Sequence, residues 1–450
     1  MTRRIVVIGG GASGSTSAQF ARKTDRSAEV TIFEREKYPQ YSRCALPYLI
    51  SGKVKDVIEF SEEWFRRNGI DLYLETEVKD IDMQKKVVVA ERKGESIEKR
   101  FDTLIMATGA RPGIPPIDGV YDGERLKRGV FTLRTLDDAI AIKNYSKSID
   151  RVLVVGAGLI GLEVSEALYE LGKEIVVVEI LPSILPGMID QDMAEIVHRM
   201  IKEKIDVMLR HKVKRIEGRD GVEKVIVEDE DGKEKEIDAQ MVILATGIKA
   251  NVDLARRIGC KLGDTGAIVV DRRCMTSIKD VYAVGDCTEY RDLVTGKPFP
   301  VGLGSIGVRQ GMVAGINSAG GSMELPEGLL QTRTTRIFGV EISAVGPLSK
   351  EIDGAIQGKY RGRTLPHYFP GGEEIIVKTI IKSSGEIASA QIIGNGGALR
   401  INTFACAIYK RMKIDEFSKL ETSYAPPVAP VLDPMIISAD MARYRYERGR

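Results

Sequence analysis

Two glycine-rich turns of one form constrain this chain more than any other feature. Residues 4–8 (Arg-Ile-Val-Val-Ile) read as a short apolar strand running into Gly9-Gly10-Gly11-Ala12-Ser13-Gly14, followed by a helix-like run from Ser15 to Lys23. A second strand, Glu29 to Phe33, ends at Glu34, twenty residues past Gly14. Gly9, Gly11 and Gly14 allow a tight turn and a close backbone approach to a pyrophosphate seated on the helix N-terminus. The acid at the second strand end accepts hydrogen bonds from a ribose. The pattern then returns whole. Arg151 to Val155 lead into Gly156-Ala157-Gly158-Leu159-Ile160-Gly161, a helical run to Leu171-Gly172 follows, and a strand from Glu174 ends at Glu179. One such turn often serves only tight packing. Two complete ones, each with its acid in place, predict two bound dinucleotides. Glu179 also selects the second, because a carboxylate there bonds a free 2′-hydroxyl and repels a 2′-phosphate. Ile180-Leu181-Pro182 bring no cation, so NADH is expected over NADPH.

A third repeated element ties the halves together. Asp102 to Gly109 and Ala239 to Gly247 are both strands ending in Ala-Thr-Gly. Each is placed to close its own dinucleotide unit and return the chain to the other, and Arg111-Pro112 marks a crossover. Val281-Tyr-Ala-Val-Gly285-Asp286 is a further strand, in which Gly285 admits a close backbone and Asp286 can bond a ribitol hydroxyl. A chain of 450 residues has room for two or three domains. Its net charge of +2 points to neither nucleic acid nor a membrane surface as the main partner. No apolar run is long enough to span a bilayer, and the N-terminus enters a strand almost at once, so a cytoplasmic location is expected. Arg443, Arg445, Arg448 and Arg450 read as a solvated tail. The five cysteines are scattered and the three histidines isolated, which predicts neither a metal site nor a disulfide framework.

The stretch Tyr41-Ser42-Arg43-Cys44-Ala45-Leu46-Pro47-Tyr48 carries the candidate chemistry. Pro47 suits the first turn of a helix, which would set Cys44 at the positive end of a short helix dipole. That end and the Arg43 charge would both favour the thiolate, the reactive form of cysteine. A buried structural cysteine is the plain alternative, and it is the reading given to Cys260, Cys274, Cys287 and Cys406.

The ordered set of motifs resembles the pyridine nucleotide-disulfide oxidoreductases, flavoproteins that bind FAD on the first fingerprint and the Gly-Asp element. The resemblance implies an α/β fold with two Rossmann-like dinucleotide-binding domains and a C-terminal α+β dimerisation domain. FAD would take residues 1–112 and 249–324, NAD residues 113–248, and the dimer interface residues 325–450. It implies cofactor contacts from Gly9, Gly11, Ala12, Ser13, Gly14, Glu34, Arg35, Arg43, Val78, Thr108, Gly109, Arg111 and Asp286. On the NAD side it implies Gly156, Gly158, Leu159, Ile160, Gly161, Glu179 and Gly247, with Glu163 positioning the nicotinamide.

Members of the family with two redox cysteines separate them by four residues, whereas here Cys44 is followed at that distance by Leu49. The oxidised partner of Cys44 must then come from outside, as a mixed disulfide, a persulfide or a sulfenic acid. Arg-Cys-Ala-Leu-Pro-Tyr resembles the single-cysteine branch: coenzyme A-disulfide reductases, NAD-dependent persulfide reductases and NADH oxidases. Water-forming oxidases carry a histidine where this chain has Ala12, which fits the reductases. Gln19 and Arg22 match residues with which those reductases hold coenzyme A, although a solvated helix face would carry the same residues. Tyr424, and less closely Tyr368, resemble tyrosines supplied by the partner subunit. Gly302 to Gln310 keeps an Arg-Gln pair and a helix start whose positive end would face the flavin. The expected function is NADH-dependent reduction of coenzyme A disulfide, persulfide or polysulfide by a homodimer. NADH oxidation by oxygen through a sulfenic acid is the alternative.

Overall fold

The structure is a computed structural model and describes residues 2–449. Five parallel strands form the first sheet, in the order 281–283, 103–106, 4–8, 29–33 and 70–73. Their central residues (Ile5, Val7, Ile32, Leu104 and Ile105) are fully buried, as expected for a parallel sheet covered on both faces. A second parallel sheet repeats the plan in the order 130–132, 241–244, 151–155, 174–179 and 206–209. Each carries a three-stranded antiparallel sheet, over residues 77–100 and 212–238 respectively. Both Ala-Thr-Gly elements lead into one short antiparallel pair, Ala110–Pro112 against Ile248–Ala250, by which the chain leaves the first unit and later returns.

Five helices matter for the site: α1 (Ala12–Thr24), α2 (Leu46–Ser51), α3 (Leu159–Glu170), α4 (Gly304–Ser318) and α5 (Pro434–Arg448). α4 lies against α1 because glycines spaced by four residues leave it no side chains there. A Cβ at Gly311 would stand 2.5 Å from the Ser13 carbonyl oxygen, and one at Gly315 2.3 Å from that of Ser17.

The C-terminal unit is a five-stranded antiparallel sheet, ordered 333–337, 340–345, 387–393, 374–381 and 356–363. Helix Gly397–Tyr409 and α5 bury their apolar sides in the same core as the sheet. α5 corrects one expectation. The arginine-rich end is no solvated tail but a helix with Met435, Ile436, Ala439, Ala442 and Tyr446 buried. Arg443 pairs with Asp440 and Glu447, and Arg445 donates to the Gln357 carbonyl; Arg450 lies outside the described residues. The second and third units are fastened by buried charge: Lys378, 2% exposed, pairs with Asp190 at 2.7 Å and Asp192 at 2.6 Å.

Candidate functional site: two dinucleotide cradles and a single thiol

The two glycine turns are built alike. Gly9 has φ +105°, and a Cβ there would stand 2.2 Å from the Ala107 carbonyl oxygen; for Gly156 the values are +103° and 2.6 Å, from Ala245. Gly14 and Gly161 each press on the carbonyl of the first glycine, at 1.9 and 2.0 Å from a Cβ position. The middle glycines differ: a Cβ on Gly11 or Gly158 meets nothing within 4 Å. Both middle glycines cap helices, α1 and α3, that have no side-chain cap, so their first backbone N–H groups are free for an anion. Ala12, Ser13, Leu159 and Ile160 form those first turns. The acids close each cradle in the same way. Glu34 accepts from Gly10 N (2.6 Å) and Glu36 N (2.9 Å), and Glu179 from Ala157 N (2.7 Å) and Leu181 N (2.9 Å). Space at the middle glycine, a bare helix end and a fixed carboxylate fit one dinucleotide in each cradle.

Around the first cradle, Gly10, Gly11, Glu34, Glu36, Tyr41 and Arg43 line a cleft leading from the glycine turn toward the Cys44 turn. The buried Gln40 Oε1 on the same segment has no hydrogen-bond partner among the described residues. Arg35 is exposed beside Glu34, and Val78 is buried in the attached antiparallel sheet. Thr108 Oγ1 donates to the Asn251 carbonyl at 2.7 Å, which locks the first crossover. Arg111 reaches Asn251 and Asp253 from the linker strand. Gly109 and Gly247 take φ values of +64° and +97° at the two equivalent exits. Gln310, fully buried, accepts from Gly285 N at 2.8 Å and so fixes the turn that presents Asp286.

Cys44 lies in a 3-10 turn, Arg43–Ala45, that feeds α2, with Pro47 in the helix's first turn. The residue is open to solvent at one side, but the setting of its thiol differs from the sequence expectation. Arg43 points away from it, pairing with Glu36 at 2.7 Å and donating to the Tyr41 hydroxyl and the Arg134 carbonyl, both at 2.8 Å. The thiol is instead pushed up, first by burial and then by Glu163 and Asp286, with Arg134 the cation that opposes them. Arg43 therefore organises the turn and does not activate the sulfur. The helix end that faces the thiol is also a different one. A Cβ at Gly304, the first residue of the 15-residue α4, would stand 4.0 Å from Cys44 Sγ.

Glu163 sits in the first turns of α3 and accepts from Thr335 Oγ1 at 2.8 Å; burial raises its carboxyl and the Thr335 bond opposes that. Asp286 is paired with Arg134 at 2.6 Å. Arg134 and Thr335 were not anticipated as site residues, whereas Gly304 belongs to the segment 302–310 read as a helix start facing the flavin. Arg134 had no readable signal, since its partner lies 152 positions away.

Arg22 is partly engaged within its own chain. Its Nη1 donates to the carbonyls of Arg26 and Ala28, both at 2.6 Å, and its Nε to that of Asn68 at 3.3 Å. It ties down the chain after α1, leaving only Nη2 for a ligand, while Gln19 is half-buried on the same helix. Tyr368 and Tyr424 are exposed with hydroxyls 3.3 Å apart, and neither is among the charged groups that influence the Cys44 of their own chain. Cys260, Cys274 and Cys287 are buried, but Cys406, expected to be structural, is exposed.

The fold and the paired cradles define a family, and comparison with known sequences agrees. The profile of the pyridine nucleotide-disulphide oxidoreductases matches residues 3–308. The chain belongs to this family of flavin-dependent NAD(P)H oxidoreductases. It is 39% identical to an NADH oxidase of Methanocaldococcus jannaschii over 453 residues, 98% of each chain. It is 34% identical to the NAD(P)H coenzyme A polysulfide/persulfide reductase of Pyrococcus horikoshii, over 99% of each chain. Among solved structures, an NAD-dependent persulfide reductase from A. fulgidus superposes with a TM-score of 0.93 at 34% identity, covering 99% of this chain and 84% of that one.

Proposed function

We propose that this protein is an NADH-dependent reductase of coenzyme A disulfide, persulfide or polysulfide, acting through Cys44 alone. The observation that carries the reading is the thiol itself. Cys44 is exposed between Glu163 and the bare start of α4, and the chain's other cysteines are unpaired residues of other segments. Its oxidised partner is therefore a sulfur from solution. FAD, when bound across the first cradle and Asp286, supplies the two-electron relay between NADH and this sulfur.

The residues divide the remaining work. The second cradle holds NADH with Glu179 on its ribose, and Glu163, steadied by Thr335, positions the nicotinamide. Cys44 Sγ, as thiolate, attacks one sulfur of the external disulfide, forming a mixed disulfide and releasing coenzyme A thiolate. Two electrons from NADH cleave that mixed disulfide, releasing the second thiol and restoring Cys44. With a persulfide, hydrosulfide is the released product. The raised thiol demands activation, which the α4 N-terminus beside it provides.

Tyr424 of the partner subunit, backed by Tyr368 of the partner subunit, protonates the leaving thiolate. The exposed apolar residues Val428, Val431 and Leu432 beyond Tyr424 support this face as the dimer contact. The Methanocaldococcus relative favours a second reading, NADH oxidation by oxygen. Cys44→Ser distinguishes function from fold: it abolishes sulfur-acceptor turnover while the yellow flavin stays bound. Wild-type turnover by that variant would sink the assignment.

A further inference from the structure

The elements that hold Cys44 and Glu163 also enclose a second, open cleft of about 450 Å³, between α2, α3 and the hairpin 333–345. That volume lies in the range of small-ligand sites. Its walls carry Tyr48, Tyr169 and Phe338, the last two meeting edge to face at 5.5 Å. Its far end, Glu170, lies eleven residues along α3 from Leu159, about 16 Å from the pyrophosphate turn, and its near end, Glu166, one turn past Glu163.

The charges of the cleft are unevenly committed. Lys53 pairs with Glu170 at 2.6 Å and lies 4.0 Å from Glu166, whose carboxylate also accepts from the Phe338 backbone. Both acids are thus occupied. Lys204 donates to the Phe338 carbonyl at 3.2 Å and lies 5.6 Å from the centre of the Phe338 ring, with no carboxylate bonded to it among the described residues. Arg336 is exposed and has no partner among the described residues. The groups left for a ligand are therefore donors, an arginine fork and an ammonium, beside aromatic walls. A planar ring carrying phosphate satisfies both.

We propose that this cleft binds an adenine nucleotide, with Arg336 and Lys204 on its phosphates and Tyr48 and Tyr169 against its ring, and that the bound nucleotide alters turnover at Cys44. The coupling rests on the proposed reaction, whereas the binding does not. Tyr48 stands on α2, which begins two residues past Cys44. Glu166 follows Glu163 by nearly one turn of α3, and Arg336 adjoins Thr335, whose hydroxyl holds Glu163. A ligand that prefers one arrangement of these elements biases the reactive centre with them.

The test is calorimetric titration of the holoenzyme with ADP in saturating NAD+, so that the dinucleotide cradles are filled. Parallel titrations use adenosine, inorganic phosphate and coenzyme A. One ADP per chain is expected, weakened at least tenfold by Arg336→Ala and by Tyr169→Ala, with turnover in the absence of ADP unchanged in both. Adenosine and phosphate should each bind at least tenfold more weakly than ADP. Coenzyme A binding that falls with Arg336→Ala would identify its adenosine diphosphate as the ligand; binding indifferent to that change would leave the free nucleotide. No ADP binding beside NAD+, or binding unaffected by both substitutions, would overturn the site. Phosphate binding as tightly as ADP would overturn the ring pocket, and an unchanged rate with ADP bound would overturn the coupling.

Discussion

Replacing Thr335 by valine keeps a buried β-branched side chain and removes a single hydroxyl. Thr335 is 6% exposed, and its Oγ1 donates to Glu163 Oε1 at 2.8 Å. Burial is the leading influence on Glu163 and raises its carboxyl, and the Thr335 bond is the largest influence in the other direction. A hydrogen bond to a charged group contributes about 1.5–3 kcal/mol. Its loss therefore makes ionisation of Glu163 roughly ten- to a hundredfold less favourable. The sign follows directly: the folded-state value, already raised, rises further, and the carboxylate is lost at a higher pH than in the wild type. If the ionised Glu163 positions the nicotinamide, the acid limb of the NADH reaction moves upward in pH. The assay is anaerobic rapid mixing with NADH, following bleaching of the flavin absorbance across pH. Thr335→Ser should restore the wild-type profile. An unmoved acid limb in Thr335→Val would refute the reasoning, and a uniform loss of rate at every pH would count as structural damage.

Three further outcomes follow from the geometry. Gly11→Val adds atoms only to open space, so the apoprotein should melt like wild-type apoprotein yet purify without flavin; Gly14→Ala drives a carbon against the Gly9 carbonyl and should lower the melting temperature itself. Glu179→Ala combined with Ile180→Arg removes the carboxylate that repels a 2′-phosphate and adds a cation, and should shift the kcat/KM ratio toward NADPH by at least tenfold. Lys378→Met leaves Asp190, 8% exposed, without its cation. It should cost about 3–5 kcal/mol in denaturant unfolding, most of which Asp190→Asn and Asp192→Asn should recover in the triple variant.

What could be read from the chain was what the backbone demands locally. A left-handed φ at Gly9 or Gly156, and a carbonyl within touching distance of Gly14 or Gly161, can be met only by glycine, so the cradles were written in residue type and spacing. The crossovers were legible for the same reason, since Gly109 and Gly247 both turn left-handed after their strands. The electrostatics of Cys44 were not. Arg43 adjoins it in sequence yet spends its charge on Glu36, while the cation that does bear on the thiol, Arg134, stands ninety residues on and is itself paired with Asp286. Arg22 sits on the anticipated helix face, but the carbonyls of Arg26, Ala28 and Asn68 claim it, and no pattern marks a carbonyl as needing a donor. The terminal helix was hidden by composition, because its arginines masked the helical spacing of Met435, Ala439, Ala442 and Tyr446.

Anaerobic NADH oxidation by wild-type protein and Cys44→Ser, with coenzyme A disulfide, coenzyme A persulfide or polysulfide set against oxygen alone, tests the central claim most directly. The account predicts rapid wild-type turnover with a sulfur acceptor, far above the oxygen rate, and loss of that turnover in Cys44→Ser with flavin retained. Fast turnover with oxygen only, or sulfur-acceptor turnover that survives Cys44→Ser, would contradict it.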